Sequence, residues 1–158
     1  MSIRDGGQAV ISKEIRESIK ESMLCWLATS GQDGIPNCTP KEAFTSCGDD
    51  KIVIANIASP ESVKNIKSNP NVCVSFIDIF RQKGFKLKGT ALYLSPSEPD
   101  YRNYEEILRP IIGSSFPIKG IIVVTVDKSS HIIAPSYYMI PGTTEETKIK
   151  QSKKAYGV

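Results

Sequence analysis

Four cations stand in one run with no acid between them: Arg81, Lys83, Lys86 and Lys88, in FRQKGFKLKGTALYL at 80–94. Such side chains hold anions through charge-assisted N–H to oxygen bonds, and the arginine fork fits a phosphate. The flanks, NVCVSFIDIF and FKLKGTALYL, read as strands. The glycine-containing link Arg81-Gln82-Lys83-Gly84 reads as the turn of a hairpin. That turn would set cationic side chains and free backbone N–H groups on one rim of a sheet. A charged edge that resists aggregation is the competing reading of the same run.

Two further stretches point to anions. In Ser59-Pro60-Glu61-Ser62-Val63-Lys64-Asn65-Ile66, Ser59 suits an N-cap, Pro60 the first helical position and Glu61 the positive end of the dipole. A helix start of this kind offers unpaired N–H groups to a phosphate, although ordinary capping is the simpler account. Lys41 lies beside Thr39 in a stretch read as strand, where a solvated strand face is the equal alternative. A helix tip, a strand lysine and a basic hairpin together make a candidate anion site.

Other chemistries find little support. The single histidine, His131, sits late in the chain with no nucleophile pattern around it, and reads as solvated or structural. No H-x-x-x-H or carboxylate cluster suggests a metal, and neither a P-loop nor G-x-G-x-x-G is present. The four cysteines, Cys25, Cys38, Cys47 and Cys73, form no C-x-x-C pair, which argues against zinc and a disulfide framework. A net charge of +3 is too small to imply a polyanion. Only Phe80 and Phe85 flank the basic run, too few aromatics for a single-strand nucleic-acid reader. No apolar run approaches the ~20 residues of a membrane span. MSIRDGGQAV lacks signal-peptide form, so a reducing cytoplasm is the expected setting.

The elements that must position these residues follow in order. Ile11, Ile15 and Ile19 predict an amphipathic helix over 9–22 with Ser12 as N-cap. MLCWLAT (23–29) predicts the first strand, with Trp26 in the core or an interface. Pro36 to Ser46 predicts a second strand, confined by Pro36 and Pro40 to an edge or a bulge. KIVIANI (51–57) is apolar on both faces, as a fully buried strand should be. The short helix stops at Asn69-Pro70, and the hairpin follows. A third helix starts near Ser97 and Pro99 and ends at Pro110. IKGIIVVTVD (118–127) reads as a buried strand, and HIIAPSYY as a further short one. We expect a domain over 1–142 and a helical, lysine-rich tail over 143–158, starting at Thr143 or Thr144. Crossovers this short do not build repeated βαβ units, so the class is mainly β with peripheral helices, a mostly antiparallel barrel.

The order LATSGQDGIPNCTPKEAF, IVIANIASPESVKNIKSNPNVCVSFID, GFKLKGTALYL resembles the pyridoxamine 5'-phosphate oxidase-like FMN-binding split-barrel proteins. The likeness spans about 23–95. It rests on the D-G-x-P turn, the S-x-x-N-I-x-x-N-P-x-V segment and the K-G-T-A strand. The resemblance implies a six-stranded antiparallel split barrel, a homodimer, and FMN at the subunit interface. It implies flavin contacts from Thr39, Pro40 and Lys41, from Ala55, Asn56, Ile57, Ser59 and Ser62, and from Asn65. The hairpin residues Arg81, Gln82, Lys83, Gly84 and Phe85 fall where the partner side of the pocket is built. The chain departs from the true oxidases in two places. Pro60-Glu61-Ser62 replaces a Ser-Arg-Lys-type triplet, leaving Lys41, Lys64 or the hairpin to supply charge for a phosphate. No R-x-H motif ends the chain. The reading is an FMN-binding flavoprotein, a small oxidoreductase outside vitamin B6 oxidation. The alternative is a non-catalytic protein that binds or stores flavin, haem or a deazaflavin.

Overall fold

The computed structural model describes residues 10–158. The predicted first helix is α1 (Lys13–Glu21), where Ser12 Oγ accepts from the Ile15 N–H at 3.3 Å. Its residues Ile15 and Ile19, with Ile11 just before, are buried together in the core, as their four-residue spacing requires.

Seven strands form one antiparallel sheet: β1 (Cys25–Ser30), β2 (Pro36–Lys41), β3 (Phe44–Cys47), β4 (Lys51–Asn56), β5 (Asn71–Asp78), β6 (Lys83–Leu94) and β7 (Gly120–Ile133). Their order is β2-β1-β5-β6-β7-β4-β3. The two outer strands, β2 and β3, are consecutive in the chain, so the sheet curls to bring its edges together as a split barrel. The predicted single strand from Pro36 to Ser46 is thus two strands, broken at Glu42-Ala43, and the count is seven instead of six. The break is functional in packing terms: the Ala43 carbonyl accepts from the Ala55 N–H at 2.9 Å and ties the bend to β4. Pro36 and Pro40 do lie on an edge strand, where no ladder bond is lost outward.

Strand β4 is buried on both faces. Ile52 and Ile54 enter the barrel core with Leu27, Val74, Phe76 and Leu87. Val53 and Ala55 face the other way, into a second cluster with Leu108, Ile118 and Ile121. Helix α3 (Tyr101–Ile112) covers that second cluster through Tyr101 and Leu108. Pro110 does not stop α3, as its type predicts; the helix runs two residues beyond it. The bond that Pro110 cannot make to the Glu106 carbonyl is lost without ending the helix, and the stop is Gly113, with φ 76° and its N–H on the Arg109 carbonyl at 2.8 Å. The start also differs from the expected Ser97, falling at Tyr101.

The late chain corrects two further expectations. One continuous strand, β7, replaces the predicted strand over 118–127 and the separate short one. Strand β6 is long enough to partner all of it, from Lys83 opposite Ile133 to Leu94 opposite Ile121, with a register shift between Lys88 and Gly89. Gly89 is required there: a Cβ would lie 1.9 Å from the Thr125 carbonyl oxygen. After β7 come one helical turn, α4 (Ser136–Met139), and α5 (Glu145–Tyr156), capped by Thr144. No helix among the described residues is long and apolar enough to cross a membrane.

Candidate functional site

Helix α2 (Pro60–Ser68) follows β4 and packs over β1 and β2. A ladder of polar side chains holds it there. Thr39 Oγ1 and Ser62 Oγ are 3.0 Å apart, Asn37 Nδ2 reaches Ser62 Oγ at 3.4 Å, and Asn65 Nδ2 donates to Thr29 Oγ1 at 3.1 Å. These groups come together because Asn37, Thr39 and Lys41 alternate on the inward face of β2. Ser62 and Asn65 are buried, turned to the sheet, and occupied in fixing the helix.

Lys41 is the last residue of β2 and lies opposite Cys25. It is only 6% exposed, yet its Nζ has neutral partners: it donates to Ser59 Oγ at 2.6 Å and to Asn56 Oδ1 at 3.2 Å. Lys41 forms no ion pair with any described carboxylate. Burial holds its pKa below the ordinary lysine value, with the facing Cys25 opposing the shift. The Cys25 thiol is pushed up to about 12 by its own burial, so it stays protonated and inert. Ser59 occupies the N-cap position of α2, but its hydroxyl caps no N–H; it accepts the lysine proton instead. The expected cap has been converted into a lysine ligand.

Lys41 and Ser59 open into a cleft of about 660 Å³. Thr39, Pro40, Ala55 and Ile57 line it as well, so six of the residues implied by the resemblance share one cavity. Asn56 borders it from behind, through Lys41. The opposite wall was missed: Ile111, Ile112 and Phe116, at and beyond the end of α3, and Leu24 and Ala43. The Ile111-Ile112 pair was visible in the sequence, but reading Pro110 as a stop removed those residues from the helix that presents them. Glu42 stands exposed on the cleft. The cavity therefore joins one buried cation, two hydroxyls, one exposed carboxylate at Glu42 and broad apolar walls, the composition of a small-ligand site.

The hairpin residues lie elsewhere on the same chain. The turn runs over 79–82, two residues earlier than predicted, and Lys83 and Gly84 are already paired in β6. Its N–H groups are not free: Asp78 Oδ1 accepts from Phe80 at 2.8 Å and Arg81 at 3.0 Å. Arg81 pairs with Glu21 of α1 and Asp78, and Lys83 pairs with Glu145 of α5 at 2.8 Å. Gln82 holds the turn with φ 53°, and Gly84 passes so close to β5 that a Cβ would sit 2.0 Å from the Phe76 carbonyl oxygen. The Phe85 ring is buried against Phe76 and His131. The groove around these residues also carries Glu14 and Glu17, so acids outnumber cations in it. Lys86 and Lys88 point outward from β6, away from that groove.

Comparison with known proteins is consistent with this geometry. The family model described as pyridoxamine 5'-phosphate oxidase matches residues 11–133. The uncharacterized protein MJ0282 of Methanocaldococcus jannaschii is 25% identical over 118 residues, covering 73% of this chain and 76% of that protein. The crystal structure of HupZ from Group A Streptococcus superposes with a TM-score of 0.65 at 22% identity, over 78% of this chain and 98% of that one. An FMN-binding protein from Syntrophomonas wolfei gives 0.65 at 16% identity, over 77% and 86%. At these identities the two structures establish the fold.

Proposed function

The chain belongs to the pyridoxamine 5'-phosphate oxidase family, and on that premise we propose that it is an FMN-binding flavoprotein acting as a small oxidoreductase. The observation that carries the reading is Lys41: a buried lysine with only neutral partners, facing a cleft. Burying a cation without a counter-charge is costly, and a ligand phosphate removes the cost. Ser59 Oγ, beside the amine, is placed to donate to the same anion once the lysine turns to it. The apolar walls from Ile57, Ile111, Ile112 and Phe116 fit a flat ring system.

The cofactor residues we assign are Thr39, Pro40, Lys41, Ala55, Ile57 and Ser59, with Asn56 orienting the lysine. Bound FMN would supply hydride and electron transfer; the chain's residues hold its phosphate and exclude water from its ring. Lys41 meets the charge requirement that the missing basic triplet at Pro60-Glu61-Ser62 leaves open. Vitamin B6 oxidation is not the activity we assign, because Pro60-Glu61-Ser62 stands where the true oxidases carry a basic triplet.

We further assign a homodimer, in keeping with the family reading. Trp26 is 45% exposed on the outer face of β1 opposite Pro40, and Met23 stands exposed beside the cleft residue Leu24. Apolar groups of that size at a cleft rim suit a second copy. In that dimer the partner's hairpin, residues 81–85, would border the pocket without supplying charge, since its cations already have acids and Phe85 is buried in the core.

Purified protein supplied with FMN should retain a flavin absorbance spectrum after gel filtration and elute as a dimer. Protein that stays colourless overturns the flavin reading. A bound flavin that neither NADH nor NADPH reduces would favour storage or sensing over catalysis.

A further inference from the structure

A second cavity of about 490 Å³ lies on the other side of Ser59 from the cleft, and the two share Ala58 and Ser59 as a common wall. Three cations line it: Lys64 and Lys67 on one face of α2, and Lys119 just before β7. No carboxylate lines it, and none of the three forms an ion pair among the described residues. Its floor is rigid. The Tyr93 hydroxyl donates to the Lys119 carbonyl at 3.1 Å, and the Lys119 N–H donates to the Asn56 carbonyl at 3.0 Å. Gly120 makes room for the ring, since a Cβ there would lie 2.2 Å from the tyrosine oxygen. Lys67 Nζ stands 5.4 Å from the ring centroid. All three side chains are exposed, so solvent screens their mutual repulsion, and an anion placed among them would meet three positive charges and no acid.

We propose that this cavity is a second anion subsite, taking the next phosphate of a flavin or nucleotide whose phosphate chain continues past the group held at Lys41 and Ser59. The proposal rests on the reading of the cleft as the site of a phosphorylated flavin. It assigns Lys64, Lys67 and Lys119 to the extension, and Tyr93 to the ring or sugar beyond it. Asn56 connects the two places: its side chain meets Lys41 and its carbonyl positions Lys119.

The test compares FMN and FAD binding, read by flavin fluorescence, in the wild-type chain and in the Lys64→Gln, Lys67→Gln double variant. Both substituted side chains are exposed, so folding should survive. The double variant should lose about tenfold in FAD affinity while FMN changes less than about twofold. Equal changes for the two flavins, or none for either, overturn the subsite. Calorimetry with inorganic pyrophosphate on Lys41→Ala protein supplies a readout that needs no flavin. Binding there that the two glutamines abolish supports the cavity as an anion site, and absence of binding overturns it. A wild-type chain that takes neither flavin refutes the cleft reading, an outcome distinct from two flavins bound with an unchanged ratio.

Discussion

Lys41 and Arg81 occupy opposite electrostatic settings within one chain. Lys41 is buried with hydroxyl and amide partners and no acid. Arg81 is one-third exposed and meets Glu21, Asp78 and Glu145, carboxylates from three separate elements. The first arrangement stores an unmet demand for negative charge. The second is already neutralised, and its work is to tie α1, the β5–β6 turn and α5 together. Tyr137 strengthens the tie by donating to the Arg81 carbonyl at 2.7 Å. On the proposed reading, the scarcity of acids around a buried cation is a better guide to an anion site than cation density along the chain.

The sharpest way to break this contrast is Lys41→Ala. It should weaken FMN about 30-fold, the worth of a charge-assisted phosphate contact, while riboflavin changes less than about threefold. Titration of both ligands checks it; equal losses would place Lys41 against the ring instead of the phosphate.

Substitution of the apolar wall, Phe116→Ser or Ile112→Ser, should act oppositely. FMN and riboflavin should both weaken, by about tenfold, because the removed area faces what the two ligands share. Loss confined to FMN would move the phosphate to that wall.

Acidity sharpens the comparison further. The folded, ligand-free chain holds Lys41 with a pKa below its ordinary value of 10.5. Binding a phosphate favours the charged amine, so the FMN-to-riboflavin affinity ratio should fall as pH rises through the window below 10.5. The Lys41→Ala variant should show no such fall. Without ligand the folded state binds fewer protons than the unfolded one in the same window. The lysine's contribution to stability therefore improves as pH rises, and urea unfolding at two alkaline pH values checks the sign.

The smallest effect belongs to the hairpin. Glu145 has its pKa lowered, first by the hydrogen bond from Lys83. Its contribution is present above the ordinary carboxylate range and lost as pH falls through the lowered value. Because the pair is exposed, Glu145→Gln should cost only about 0.5 kcal/mol, and high salt should erase the difference. An effect on FMN affinity as large as that of Lys41→Ala would bring a partner's hairpin charges to the cleft.

Much of the site was legible in local patterns. Thr39 and Lys41 share a strand face by period two, and Ser59 and Pro60 mark the helix start, while Asn56, the other partner of Lys41, was named only through the family resemblance. Three things were hidden. Pro110 reads as a stop by type, yet α3 continues through it, and Ile111 and Ile112 line the cleft. The length of β7 depends on the length of β6, a partner distant in sequence. The acids that neutralise Arg81 and Lys83 come from positions 21 and 145, some 60 residues away on either side.

Sequence alone determined most element types, the two-faced burial of β4, and the presence of cations and hydroxyls, because these follow from residue chemistry and short-range periodicity. Only the curled sheet decided that Lys41 is buried with no acid beside it. That outcome depends on which distant side chains the fold brings within a few ångströms, and charge compensation is a property of neighbours in space.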